Sequence, residues 1–370
     1  MVPTLRKQQS GKSASSSVKL TSTEPNLSGA SRPLVTLQAL NDWLARRGYP
    51  AYRAAQILSS AYRRRVPSFA AMSNLPQTLR SDLESEFCLP VLNPAVVAHS
   101  SDDTRKFLFR LEGDAAIEAV LIPDTPRLTL CISSQAGCGM GCTFCATARL
   151  NLQRNLSAAE IVGQVLAAQR QLLDQERISN LVFMGMGEPL ANYAALLQAI
   201  EILTADWGVG LSGRRITVST VGLVPQMKKL VSETPVQLAV SLSGTSDEQR
   251  EALMPINRRY TLAELLGMCR ELPIPQRRRI TFEYVLLAGV NDSLADADRL
   301  ARLLHGIRAK VNLLPFNPFL NAGYERPSDA SVVAFQQRLL SRHLNATIRR
   351  SRGRDIQAAC GQLALAQKVD

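Results

Sequence analysis

From Leu128 onward the chain repeats one unit: a short apolar run rich in β-branched residues, then a longer segment with apolar residues every three or four positions. The runs are "LTLCIS", "ISNLVFMG", "RITVST", "VQLAVSL", "RITFEYVLL" and "KVNLLPF". Helix starts are marked between them, at Ser157 with Glu160 and at Thr261 with Glu264, both spaced as capping boxes. Further helices are expected near 193–205, 224–231, 294–306 and 330–343. Six strands joined through helices imply a parallel sheet with right-handed crossovers. The expected fold is therefore α/β, a barrel or part-barrel over residues 128–350. Chemistry in such a fold sits at the C-terminal ends of the strands.

The remaining segments divide by composition. Residues 1–33 are basic and Ser-rich, with no acid before Glu24, and are expected to be a disordered tail; an organellar transit peptide is the minor alternative. Residues 34–92 show helical periodicity broken at Gly48, Pro50 and Pro67. Their arginines 46, 47, 53 and 63–65 mark a small helical accessory domain with a basic face. Residues 93–127 read as a β-hairpin turning at Gly113 and Asp114. The end, 351–370, is short and irregular.

No apolar run reaches the roughly 18 residues of a membrane helix, and no signal-peptide pattern opens the chain. Seven cysteines, an odd number, point to a reducing, cytoplasmic setting and to metal-binding or catalytic thiols. A formal charge of +12 suits a polyanionic partner.

Four of the cysteines fall in "CISSQAGCGMGCTFC". Cys138, Cys142 and Cys145 form CxxxCxxC in a loop whose glycines, Gly137, Gly139 and Gly141, allow the sulfurs to converge. Three thiolates are one short of a structural zinc site. They also leave one iron of a [4Fe–4S] cluster open. The spacing, with Phe144 before the last cysteine, resembles the radical S-adenosylmethionine (SAM) enzymes. That resemblance implies a partial (β/α)6 barrel in which the open iron binds SAM, whose one-electron reduction gives a 5′-deoxyadenosyl radical. It also implies SAM contacts from Gly187 and Glu188 in "GMGEP", from Ser219, Ser241, Leu242 and Ser243, and from Asn317.

A lone cysteine in an Ala-rich stretch, as Cys360 is in "AACGQLA", is ordinarily a small buried hydrophobe. Here the stretch is part of a wider likeness. "IEAVLIP", "LCISSQAGCGMGCTFCATA", "VFMGMGEPL", "MPINRRY", "EYVLLAGVNDS", "VNLLPFNPF" and "ACGQLA" together resemble the RlmN type of RNA adenine methyltransferases, close relatives of Cfr, over residues 37–364. The resemblance implies that Cys360 accepts a methyl group from one SAM, that a second SAM supplies the radical, and that Cys131 releases the methylated base through a transient disulfide. It implies that Glu118, among Ile117, Ala119 and Val120, is the general base. The implied partners are large-subunit rRNA, tRNA and a one-electron donor such as flavodoxin or ferredoxin, with no membrane. The basic runs at 257–260, 277–279 and 349–354 suit phosphate contacts. The chain departs from the family at Ser243, where His or Asn is common, and at Val221, where serine is frequent. Two other readings stay open on the residues: a Cfr-like enzyme methylating adenine C8, and a non-catalytic iron–sulfur RNA-binding protein. The joint presence of Cys131, Cys360 and Glu118 argues against the last.

Overall fold

The computed structural model describes Arg32, Pro33 and residues 36–173 and 175–365. The expected N-terminal tail lies outside that set except for its last two residues, which pair in parallel with Phe87 and Cys88. Ten strands form one sheet in strict chain order: β1 (Val96–His99), β2 (Arg105–Arg110), β3 (Ala116–Asp124), β4 (Arg127–Cys131), β5 (Asn180–Phe183), β6 (Ile216–Thr220), β7 (Gln237–Ser241), β8 (Ile280–Leu286), β9 (Ala309–Pro315) and β10 (Ala346–Ile348). The pairs from β4 to β10 are parallel, as the helical crossovers require. Among the described residues the edge strands β1 and β10 do not pair with each other, so the barrel stays open.

Two expectations are corrected here. The parallel part has a seventh strand: β10 is only three residues long, too short to show a pattern. Residues 93–127 form a three-stranded antiparallel meander rather than a hairpin, and it continues the barrel sheet through the β3–β4 pairing. The turn itself is where it was expected, with both Gly113 and Asp114 at positive φ.

Three helices open the described chain, α1 (Leu37–Arg46), α2 (Tyr52–Leu58) and α3 (Gln77–Glu86). They lean on the barrel: the Tyr62 and Trp207 rings lie 6.3 Å apart, and Arg63 donates to Asp206 O at 3.3 Å. Around the sheet run α4 (Ala158–Arg170), α5 (Tyr193–Thr204), α6 (Val224–Glu233), α7 (Asp247–Leu253), α8 (Leu262–Glu271), α9 (Leu294–Leu303) and α10 (Asp329–Ser341). Both expected capping boxes form, at Ser157 for α4 and Thr261 for α8. Helix α7 was not expected. It is two turns long and buries only Leu253 and Arg250, one of them charged, too little for a periodic apolar signal. β8 is buried along nearly its whole length, which suits its apolar Ile280, Phe282, Val285 and Leu286, while Thr281 and the carboxylate of Glu283 are buried with them.

Candidate active site

The loop after β4 carries the three clustered cysteines. Its path requires Gly137: φ is +76°, and a Cβ there would lie 1.6 Å from the Asn151 carbonyl oxygen. The loop is tied to α7 by the Thr143 N–H, which donates to Leu253 O at 3.0 Å. Burial raises all three thiols; charges within the trio add to it for Cys138 and Cys142, and the charge of Cys360 for Cys145, and Cys138 is pushed up to about 11. Buried thiols gathered in one loop, whose ionisation burial opposes, form a donor set suited to a strongly cationic centre.

Facing this loop, "GMGEP" follows β5. Gly187 has φ +97°, and a Cβ would lie 2.5 Å from the Gln135 side chain. Glu188 is buried, and its carboxylate accepts from the Val221 N–H at 2.9 Å and the Leu190 N–H at 3.0 Å. Burial lifts its carboxyl to about 7 in spite of those hydrogen bonds. Ser219 is half-buried on β6 and Ser241 half-buried at the end of β7. Leu242 is fully buried. Ser243 is engaged elsewhere: its hydroxyl accepts from the Val285 N–H at 3.3 Å and its carbonyl from Asn291 Nδ2 at 2.9 Å. Its φ is +48°, a region that Asn and His tolerate better than serine.

The thiol pair is assembled by a strap. After β10, residues 349–365 cross the open mouth to the β1–β2 turn, where Gly353 N–H donates to Asp102 at 3.0 Å and Ser100 Oγ to Asp355 at 2.5 Å. Further on, the Ala146 N–H of the cluster loop donates to Gly361 O at 2.8 Å, and Thr147 Oγ1 to Leu363 O at 2.7 Å. Cys360 is exposed between these anchors, and Asn317 Nδ2 donates to its carbonyl at 3.3 Å. Cys131, at the end of β4, is 7% exposed. Burial, then the charge of Cys360, pushes its thiol up to about 12, while Arg349 and the Met184 N–H pull the other way. Glu118 on β3 is buried with Lys106 of β2, Nζ to Oε1 at 2.9 Å. Its other oxygen accepts from the Leu365 N–H of the strap at 3.2 Å.

Residues 132–301 match the profile of the radical SAM superfamily, and residues 34–89 that of the ribosomal RNA large subunit methyltransferase N-terminal domain. A radical SAM methyltransferase from Sphaerobacter thermophilus superposes with a TM-score of 0.85 at 47% identity, covering 89% of this chain and 97% of that one. The dual-specificity RNA methyltransferase RlmN of Syntrophobacter fumaroxidans is 50% identical over 328 residues, covering 89% of this chain and 96% of that protein. The chain belongs to the RlmN-type radical SAM methyltransferases. The RlmN protein of Geobacter sulfurreducens is likewise 50% identical, over 89% of this chain and 90% of its own.

Membership of the RlmN type implies a [4Fe–4S] cluster and SAM. The residues present fit both. Among the described residues no three His, Cys, Asp or Glu side chains are arranged to hold a single metal ion, but a four-iron cluster is met by its thiolates at separate corners. Glu188, buried without a cationic partner among the described residues, fits an amino-acid ammonium. Glu283 Oε2 and Asn317 Oδ1 are buried without partners among the described residues, as acceptors kept for a ligand are. Cys138→Ala is expected to abolish the brown iron–sulfur absorbance and the bound iron, since two thiolates cannot retain the cluster. A variant with full iron content would sink the ligand assignment.

Arg250 and Glu283 escaped sequence reasoning, and Arg349, read there only as part of a phosphate-binding run, stands beside the thiols. Arg250 of α7 is fully buried, donates to Val221 O at 2.6 Å and Asn257 Oδ1 at 2.9 Å, and puts its charge beside Cys142. Arg349 donates to Met184 Sδ at 3.5 Å, and its charge acts on Cys360, Glu283 and Cys131. Glu283 on β8 accepts from Asn312 Nδ2 at 3.0 Å. The three basic runs are also separated. Arg277, Arg278 and Arg279 precede β8, at the end of the barrel away from the mouth, where Arg278 donates to Val236 O just before β7. Only 257–260 and 349–354 follow C-terminal strand ends.

Proposed function

We propose that this chain methylates C2 of adenine in RNA, at one adenine of the peptidyl-transferase centre of large-subunit rRNA and one beside the anticodon of tRNAs, in the cytoplasm. The observation that carries the reading is the strap, which sets Cys360 against the cluster loop while Arg349 acts on both Cys360 and Cys131. The names of the relatives support it, since they are dual-specificity RNA methyltransferases.

In this reading Cys138, Cys142 and Cys145 hold the cluster, and Gly187, Glu188, Ser219, Ser241 and Asn317 hold SAM. The bound cofactors supply a methyl group and, with one electron from a flavodoxin or ferredoxin, hydrogen abstraction. The protein supplies the acceptor, the base and the release. The Cys360 thiolate takes the methyl group by displacement; after losing one hydrogen atom that carbon bonds to adenine C2 and leaves an unpaired electron on the base. Glu118 removes the C2 hydrogen as a proton, and the unpaired electron passes to a one-electron acceptor, the oxidised cluster or its electron donor, which restores the aromatic ring. The Cys131 thiolate then attacks Cys360 Sγ; an S–S bond forms, the S–C bond breaks, and its electron pair stays on carbon. Protonation of that carbon completes the methyl group, and an external dithiol must reduce the disulfide before the next cycle.

The test is mass spectrometry of nucleosides from rRNA and tRNA of a methyltransferase-deficient host expressing the chain, with Cys360→Ala alongside. 2-Methyladenosine in both RNAs, absent with Cys360→Ala, is expected. 8-Methyladenosine instead would move the chain to the Cfr reaction, and no methylated adenosine from cluster-loaded protein would overturn the proposal.

A further inference from the structure

A cleft of about 690 Å³ opens beside the mouth, between the first half of α10 and the stretch that follows β10. Arg326, Arg349, Arg350 and Arg354 line it, against one carboxylate, Asp329. That carboxylate is 94% exposed at the rim, 4.0 Å from Arg326, and neutralises little. The nearby acids are committed elsewhere: Asp102 holds the Gly353 N–H, and Asp355 holds Ser100 and the Ser101 N–H. Arg326 is fixed by Pro315 O and Phe316 O at 3.1 and 3.2 Å. Burial and the facing charge of Arg354 hold its pKa below the usual guanidinium range. Arg350 and Arg354 are exposed and have no carboxylate at ion-pair distance among the described residues. Like charges gathered around one cavity repel each other unless an anion sits among them. The guanidinium fork matches phosphate oxygens two at a time.

Arg349 ties this cleft to the chemistry, because it forms part of the wall while its charge also acts on Cys360 and Cys131. Cys360 follows the cleft-lining stretch 349–354 on the same strap, so the cleft is within the reach of backbone adjoining a base presented to that thiol. We propose that the cleft binds a phosphodiester of the substrate RNA next to the adenine presented to Cys360, with Arg350 and Arg354 as the adjustable contacts and Arg326 as a fixed wall. The proposal rests on the RNA reading above.

The experiment uses the full, cluster-loaded chain. Affinity for a tRNA transcript is measured across a salt series for the wild type, Arg350→Ala, Arg354→Ala and the double variant. Each single variant is expected to bind several-fold more weakly and to lower the slope of log K against log salt by about 1. Arg277→Ala, at the far end of the barrel, should leave the slope unchanged. In a second arm, RNA hairpins carry one neutral methylphosphonate linkage at successive positions around the loop adenine. Wild type should lose affinity at one or two linkages, and Arg354→Ala should lose nothing further there. Unchanged slopes in the cleft variants, or a flat methylphosphonate scan, would overturn the proposal. So would competition by inorganic phosphate with a flat scan, which would mark a site for free phosphate. Binding is read without turnover. A chain that shows the slope change but makes no methyladenosine keeps the cleft and loses the function; a methylating chain with unchanged slopes does the reverse.

Discussion

Cys131→Ala is expected to leave substrate RNA covalently attached to Cys360 and to end multiple turnover. The two thiols are placed for sequential roles. Cys360 is exposed on the strap, able to meet a methyl donor and a base in turn, whereas Cys131 is buried at the end of β4. At rest Cys131 is a poor nucleophile, because burial and the charge of Cys360 push its thiol up to about 12. Arg349 and the Met184 N–H oppose that rise and favour the thiolate that release requires. Replacing one buried sulfur by hydrogen costs about 1 kcal/mol of stability, so the fold survives. A denaturant-stable protein–RNA band should appear with Cys131→Ala and vanish with Cys131→Ala/Cys360→Ala. If SAM is consumed and only free RNA is recovered, the thiol relay is wrong.

The same thiols show where the sequence was legible and where it was not. The parallel barrel could be read because buried strands and capped helices leave strong periodic signals, as in "RITFEYVLL" and at Ser157 with Glu160. The cysteine loop could be read because its chemistry depends on spacing within one short segment. The place of Arg349 beside the thiols could not, since Met184, Glu283 and Cys131 come from other parts of the chain. Lys106 was within reach. The turn at Gly113 and Asp114 sets Leu108 opposite Glu118, which puts Lys106 one diagonal step away on the same face. The arginines at 277–279 were grouped with the RNA contacts on charge alone, although a run that precedes a parallel strand lies at the end opposite the mouth.

Glu118→Gln is expected to slow turnover by roughly 10²–10⁴, the usual contribution of a positioned base, and to stall one step earlier than Cys131→Ala, before the C2 hydrogen leaves. The position is unusually constrained. Glu118 and Lys106 have side chains only 3% and 5% exposed, 2.9 Å apart, and the strap reaches Glu118 through the Leu365 N–H. A buried pair of this kind resists loss of one partner, because the charge left behind is uncompensated; Lys106→Met should therefore cost about 3–5 kcal/mol. The glutamine variant carries a related penalty, since it strands the ammonium. Stability loss and base loss would otherwise be confused, and the double variant separates them. Glu118→Gln/Lys106→Met removes both charges and should melt well above the sum of the two single losses, while its turnover stays as low as that of Glu118→Gln. If the double variant regains wild-type turnover along with its melting temperature, Glu118 serves only to neutralise Lys106, and the proton must leave adenine by another route.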